Sequence, residues 1–207
     1  MAIELINDII NVAEKVKFRI NSKNTKDNLL ILIGGCSRTG KSTFAKSLCE
    51  KLKEIQIEAF TISIDLWLKP ASQRESNSTV LDRYKQNEII VSISELLCGN
   101  SLRFSPYDAI TRERSLNKIL IVPSEKPFVV VLEGVISLCL DELRKNSAYN
   151  IYLECRNFTR IKRLIKFYKD TKHLDEEEYK NLIRLREKEE VPLIKSSREF
   201  ADLVVQL

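Results

Sequence analysis

A glycine-rich segment at residues 34–43, GGCSRTGKST, combines residue types that bind phosphate. Only five of the 207 residues are glycine, and three of them lie in this segment. It contains the pattern G-x-x-x-x-G-K-S, in which backbone N–H groups surround anionic oxygens, the lysine contacts phosphate and the hydroxyl ligates Mg²⁺. The expected phosphate-binding residues are Gly35, Cys36, Ser37, Arg38, Thr39, Gly40, Lys41, Ser42 and Thr43.

The sequence on either side of the glycine-rich segment fits this interpretation. Residues 29–33 are continuously apolar, as in a strand buried on both faces of a parallel sheet. Phe44, Leu48 and Leu52 then recur at helical spacing. An ordinary glycine turn before a helix is the alternative, but the complete pattern between a strand and a helix favours a phosphate-binding loop (P-loop), because a helix N-terminus attracts anions.

Two carboxylates follow other apolar strands. Asp65 ends the segment EAFTISID, and Glu133 follows FVVVL. Parallel strands bring their carboxyl ends to one edge of a sheet, where ligands bind. Beside bound phosphates, such acids can hold Mg²⁺ or accept a proton from an attacking hydroxyl. A helix N-cap or a solvated turn is the alternative for each acid considered alone.

Strand and helix patterns alternate along the chain, which predicts an α/β fold with a mostly parallel sheet between layers of helices. We expect an N-terminal helix and linker over residues 1–28, a helix over 80–100 and strands over 149–155 and 200–207. Residues 157–190 are charged and helical in pattern. The sequence contains no repeat or domain boundary, so we expect a single domain over residues 1–207.

Composition narrows the classes of function. Hydrophobic residues make up 43% and charged residues 30%, and no apolar stretch approaches the roughly 18 residues of a membrane helix. The five cysteines form no C-x-x-C pair and His173 is the one histidine, which argues against a zinc site and a disulfide framework and predicts a cytoplasmic location. The net charge of +5 suits nucleotide phosphates, and no nucleic-acid-binding motif is present.

Taken together, the motifs resemble the uridine kinase and phosphoribulokinase branch of the P-loop kinases. The resemblance covers roughly residues 29–206 and implies a three-layer P-loop NTPase fold with a helical lid. The matching segments, in order, are GGCSRTGKST, ISID at 62–65, SPYDAITRER at 105–114, VVLEGV at 130–135, NFTRIKRLIKFYKD at 157–170 and SSREFADLVV at 196–205.

The resemblance implies ATP and Mg²⁺ as cofactors and gives roles to individual residues. Asp65 would be the catalytic base, and Glu133 would assist the metal together with Ser42. Tyr107 and Asp108 would belong to the acceptor pocket. The lid helix would bring Arg160 and Arg163 to the phosphates with Lys41. A solvated basic helix face is the alternative for this helix. The expected catalytic residues are therefore Asp65, Lys41, Arg160 and Arg163. The expected substrate-binding residues are Tyr107, Asp108 and Arg112, and the expected metal-binding residues are Ser42 and Glu133.

The sequence departs from the uridine kinase pattern in the acceptor pocket. Arg112 replaces a histidine that helps to recognise the pyrimidine base, Leu68 replaces an aromatic residue and Ala109 replaces a phenylalanine. Uridine or cytidine remains the first acceptor to consider. A different, anionic acceptor is the alternative, since a guanidinium matches anionic oxygens. A nucleotide-dependent ATPase or switch is a third hypothesis. The sequence leaves open whether the chain forms a homo-oligomer.

Overall fold

The computed structural model describes residues 2–22, 27–74, 78–104, 107, 111, 113–114, 119–121 and 127–207. The helices and strands, in chain order, are α1 Ala2–Ser22, β1 Leu29–Gly34, α2 Lys41–Glu54, β2 Glu58–Ser63, α3 Gln86–Leu97, β3 Leu102–Phe104, β4 Ile119–Ile121, β5 Phe128–Glu133, α4 Asp141–Asn146, β6 Tyr149–Glu154, α5 Asn157–Asp170, α6 Glu176–Ser196 and β7 Leu203–Gln206.

Five strands form one parallel sheet in the order β2-β5-β1-β6-β7, and β3 pairs with β4 in a separate antiparallel pair. The predicted α/β fold with a parallel sheet is therefore confirmed. The register pairs Ile33 with Glu133 and Ser63 with Glu133. The ends of β1, β2 and β5 consequently lie side by side at one edge of the sheet, and each of them is followed by one of the predicted site segments.

The central strands are apolar along their whole length because both of their faces are covered. All six residues of β5 are buried, as are five of the six in β1. Successive side chains of a strand point to opposite faces. Leu30 and Leu32 accordingly belong to one core cluster, whereas Ile31 and Ile33 belong to the other.

Helices cover both faces of the sheet. On one face α1 and α2 pack through a set of buried apolar residues that includes Val12, Val16 and Leu48. On the other face α3 and α6 pack through Ile89 and Ile194, among others. The predicted N-terminal helix thus lies against the sheet. Within the described ranges, no helix combines the length and the apolar character needed to cross a membrane.

Two element boundaries next to the predicted site differ from the expectation. The helix predicted over residues 80–100 begins only at Gln86, because a short 3₁₀ turn at Leu81–Arg83 comes first and Tyr84 is extended. The backbone N–H of Lys69 donates to the Arg83 carbonyl at 2.9 Å, which holds this segment against the chain that follows Asp65. Strand β2 ends at Ser63, so Asp65 lies in the adjoining 3₁₀ turn Ile64–Trp67.

Candidate active site

The loop between β1 and α2 has the backbone conformation of a phosphate cradle. Gly35, Arg38 and Gly40 have φ values of 131°, 67° and 110°. Glycine adopts such angles at little cost, whereas other residues rarely do. Inside the loop, the Thr39 hydroxyl donates to the Cys36 carbonyl at 2.9 Å. Helix α2 begins at Lys41, so its unpaired N–H groups and positive dipole end adjoin the loop.

Lys41 lies within this loop and is almost fully buried. Its Nζ donates to the Cys36 carbonyl at 2.8 Å. Burial lowers the pKa of Lys41, while the negative charges of Glu133 and Asp65 act in the opposite direction. Since a buried cation needs negative neighbours, these two acids and a bound phosphate group would stabilise the ammonium.

Ser42 and Glu133 form a pair of oxygen ligands next to the lysine. The Ser42 hydroxyl donates to Glu133 Oε1 at 3.1 Å, and Glu133 is 7% exposed. Burial raises the pKa of Glu133, although the Lys41 charge opposes the shift. Hydroxyl and carboxylate oxygens are suitable Mg²⁺ ligands, so these residues fit the predicted metal. The described part of the chain has no group of three or more His, Cys, Asp or Glu side chains that could bind a metal by themselves. Phosphate oxygens and water would therefore have to complete the coordination.

Asp65 is exposed and accepts one well-defined hydrogen bond. Tyr84, from the segment before α3, donates its hydroxyl to Asp65 Oδ1 at 3.0 Å. Burial raises the pKa of Tyr84 well above its ordinary value, and the Asp65 charge adds to the shift. The phenol therefore remains a donor throughout the physiological pH range. This bond fixes the direction of a carboxylate that could accept a proton from a substrate hydroxyl.

A cationic wall from α5 faces the loop. Arg163 Nη1 donates to the Arg38 and Thr39 carbonyls at 3.3 and 3.4 Å. The Arg38 guanidinium lies 3.6 Å from the centre of the Phe167 ring. Lys166 lies on the same helix as Arg163, and both line the cleft described below. This wall could stabilise negative charge on a bound triphosphate.

Arg160 is placed differently from Arg163. It is 4% exposed and donates to Asn157 and Glu187, which ties α5 to α6. Arg160 is not among the cleft-lining residues, and its buried Nη1 has no hydrogen-bond partner among the residues that the structure describes. In this conformation it supports the helix that carries Arg163, and its predicted contact with phosphate stays a prediction.

A contact between α6 and the phosphate loop was not expected from the sequence. The Ser37 hydroxyl donates to Glu190 Oε1 at 3.1 Å, and Arg186 Nη1 donates to Ser37 Oγ at 3.0 Å. Arg186 also pairs with Glu190, which is buried. The i,i+4 spacing of Arg186 and Glu190 is visible in the sequence, but their long-range partner is not.

These groups share one cleft of about 1980 Å³ at the carboxyl edge of the sheet. Of the predicted site residues, the cleft is lined by Ser37, Arg38, Gly40, Lys41, Ser42, Thr43, Asp65, Tyr107, Glu133 and Arg163. The structure therefore brings the predicted base, metal pair and lid arginine to one place. Asp108 and Arg112 lie outside the described residues.

Comparison with protein families identifies the family to which this chain belongs. A family model described as an AAA domain matches residues 31–184, which is well over half of the chain. The chain belongs to this AAA-domain family. The match includes the phosphate-binding loop, the Asp65 turn, the end of β5 and both α5 and part of α6.

Curated relatives of this AAA-domain chain confirm its resemblance to uridine kinases. A uridine kinase from Shewanella pealeana is 27% identical over 139 residues, which cover 63% of this chain and 64% of that protein. A uridine kinase from Halobacterium salinarum is 25% identical over 147 residues, which cover 68% of this chain and 63% of that protein. The matched region thus spans just under two thirds of the length of these uridine kinases.

Solved structures establish the fold of the domain. D-glycerate 3-kinase from Cryptococcus neoformans superposes with a TM-score of 0.66 at 12% identity, covering 91% of this chain and 89% of that one. A structure described as a possible uridine kinase from Bacillus stearothermophilus has a TM-score of 0.60 at 20% identity, covering 94% and 98%. The fold is therefore that of the P-loop kinases, and at these identities the likeness concerns the fold alone.

Proposed function

We propose that this protein is an ATP-dependent kinase that transfers the γ-phosphoryl group to a hydroxyl of a small molecule. One observation carries the proposal: the phosphate loop, the Ser42–Glu133 pair and the Asp65–Tyr84 pair face the same cleft. Uridine and cytidine are the first acceptors to assay, because the curated relatives are uridine kinases. ATP and Mg²⁺ as partners, and a cytoplasmic location, are part of the proposal.

The proposed reaction assigns each residue one task. Asp65 accepts the proton of the acceptor hydroxyl, and Tyr84 keeps the Asp65 carboxylate directed at that hydroxyl. The acceptor oxygen forms a bond to the γ-phosphorus while the bond between the γ-phosphorus and the β–γ bridging oxygen breaks. ADP is the leaving group. Lys41 and Arg163 stabilise the charge on the phosphate oxygens. Ser42 and Glu133 would hold Mg²⁺, which neutralises phosphate charge when it is bound.

Phosphoryl transfer from ATP to uridine or cytidine, measured by ADP release and by mass of the product, tests the proposal. Asp65→Asn should lower kcat by about 10²-fold or more, the usual effect of removing a positioned base, while ATP affinity changes little. Lys41→Ala should abolish both transfer and tight ATP binding. A matched control is Lys51→Ala, because Lys51 lies on the same helix α2 and does not line the cleft.

The outcome that contradicts a kinase is also specific. ATP hydrolysis at the same rate with and without every acceptor would favour the ATPase or switch hypothesis. Unchanged turnover in Asp65→Asn would remove the base role from Asp65, and Glu133 would be the next carboxylate to test.

A further inference from the structure

The part of the cleft next to Asp65 has its own wall, which we call the acceptor wall and define as Leu68, Arg74, Val80, Tyr84 and Tyr107. Each of these residues lines the cleft on the side of the proposed base. Tyr84 binds Asp65 through its hydroxyl. The backbone N–H of Tyr107 donates to the Leu66 carbonyl at 3.3 Å, so Tyr107 adjoins the residue that follows Asp65.

Arg74 is the cation of this wall. Its guanidinium lies 5.0 Å from the centre of the Tyr107 ring, and its Nε donates to the Lys69 carbonyl at 2.8 Å. These contacts hold the guanidinium in place, but neither supplies negative charge. Its Nη2 is buried and has no hydrogen-bond partner within the described part of the chain. A buried charged donor without an acceptor is costly, so a bound anion would stabilise it.

Three acids of the cleft are paired with groups other than Arg74. Asp65 accepts from Tyr84, Glu133 accepts from Ser42, and Glu190 pairs with Arg186. Arg83, the other arginine near this wall, donates to Glu189 at 2.7 Å. Arg74 thus differs from Arg83 and Arg186 in having no carboxylate partner among the described residues.

The aromatic rings of the acceptor wall are poorly placed for stacking on a base. Tyr84 is 6% exposed, with its hydroxyl committed to Asp65. Tyr107 has the Arg74 guanidinium against its ring. Leu68 is aliphatic and supplies no ring. Base recognition commonly uses a free aromatic face, and this wall presents a cation in that place.

We propose that the acceptor is an alcohol that carries a carboxylate or phosphate group, and that Arg74 binds this anionic group. The proposal rests on the kinase function proposed above. The positive charge of Arg74 also offsets the repulsion that the Asp65 carboxylate would exert on an anionic acceptor. A guanidinium binds both carboxylate and phosphate with paired hydrogen bonds, so the geometry supports the shared chemistry of the two groups.

The test compares four defined probes in the presence of Mg-ATP: D-glycerate for the carboxylate, D-ribose 5-phosphate for the phosphate, and uridine and cytidine as neutral acceptors. The wild-type protein should phosphorylate one anionic probe with a kcat/KM at least tenfold above that for the nucleosides. Arg74→Ala should lower kcat/KM for that probe by about 30-fold or more, the scale for loss of one side of a desolvated charge pair. Arg74→Lys should retain part of the activity.

Controls separate this proposal from the kinase proposal. Arg184→Ala removes an exposed arginine of α6 outside the cleft and should leave every rate unchanged. ATP affinity should be equal in wild type and Arg74→Ala, which would also show that the variant is folded. Calorimetric binding of the anionic probes with a non-hydrolysable ATP analogue gives a readout that needs no turnover.

Three outcomes decide the matter. Arg74-dependent binding or turnover of an anionic probe supports the inference, and the probe that responds distinguishes carboxylate from phosphate. Efficient phosphorylation of uridine with equal rates in Arg74→Ala overturns the inference but leaves the kinase intact. ATP turnover that no probe changes, combined with no Arg74-dependent binding of either anion, contradicts both proposals.

Discussion

Replacing Gly35 with alanine should disrupt the phosphate loop. An added Cβ would lie 2.2 Å from the Leu153 carbonyl oxygen, far inside the contact distance of a carbon and an oxygen. Leu153 is a fully buried residue of strand β6, so its backbone oxygen cannot move aside as a flexible side chain would. The φ of 131° adds a conformational penalty of its own.

The magnitude follows from these two costs. A residue held at a φ that only glycine adopts costs about 1–3 kcal/mol, and relief of the clash requires the loop to move away from β6. We therefore expect Gly35→Ala to lower the free energy of unfolding by about 3 kcal/mol, which corresponds to roughly 6–12 °C in Tm for a chain of this size. ATP affinity should fall at least tenfold, since the displaced N–H groups no longer surround the phosphates.

Thermal unfolding and calorimetric ATP titration measure both effects. Gly99→Ala is the matched control, because Gly99 also has a positive φ, 91°, but lies beyond α3 and outside the cleft. It should lose about 1 kcal/mol through backbone strain alone and bind ATP normally. The reasoning would be refuted by a Gly35→Ala protein that melts within 2 °C (roughly 1 kcal/mol) of wild type and binds ATP with unchanged affinity.

Two further predictions concern the carboxylates. Tyr84→Phe should lower kcat by about tenfold at unchanged KM for ATP. A hydrogen bond to a charged group contributes about 1.5–3 kcal/mol, and water replaces part of this contribution at the exposed Asp65. An equal kcat of variant and wild type in steady-state assays would show that the bond does not position the base. Burial raises the pKa of Glu133 above its ordinary value of 4.5. The contribution of this carboxyl group to the stability of the fold is therefore complete below pH 4.5, where the group is protonated. It is lost as the pH rises through the raised pKa and the buried group becomes charged. Glu133→Gln should therefore have a higher Tm than wild type at pH 7.5 and the same Tm near pH 4. As a control, Glu50→Gln on the exposed face of α2 should have the Tm of wild type at both pH values. A Glu133→Gln protein that is less stable than wild type at pH 7.5 would contradict the argument.

Features that depend on residues close together in the sequence could be predicted. The phosphate loop is defined by glycine spacing between an apolar run and a helical period, and the placement of Asp65 and Glu133 follows from the carboxyl ends of apolar strands. The sheet and its helical layers follow from the same alternation. The strand order β2-β5-β1-β6-β7 does not, because it depends on packing between segments that are distant in the chain.

The contacts that complete the candidate site could not be predicted from the sequence, because they also join segments that are distant in the chain. Tyr84 reaches Asp65 only because a 3₁₀ turn and an extended residue interrupt the predicted helix over 80–100. Glu190 binds Ser37 across 153 positions of sequence. Helical spacing placed Arg160 and Arg163 close together on α5, but it could not show that Glu187 draws Arg160 towards α6 while Arg163 lies over the loop.

The two halves of the cleft are built in different ways, and this difference bears on how the acceptor is chosen. The donor half is anchored in the central sheet: the loop continues β1, Glu133 ends β5, and Ser42 joins them. A substitution there disturbs the core, as the Leu153 contact of Gly35 illustrates. The acceptor wall comes from the chain between β2 and α3 and from Tyr107, outside the central strands. None of its side chains comes from a strand of the sheet or from the phosphate loop, although Val80 and Tyr84 are buried in the core. This construction is compatible with one fold serving proteins that are named for different acceptors. Under the proposed kinase function, the acceptor of this chain is to be identified through Arg74 and its neighbours.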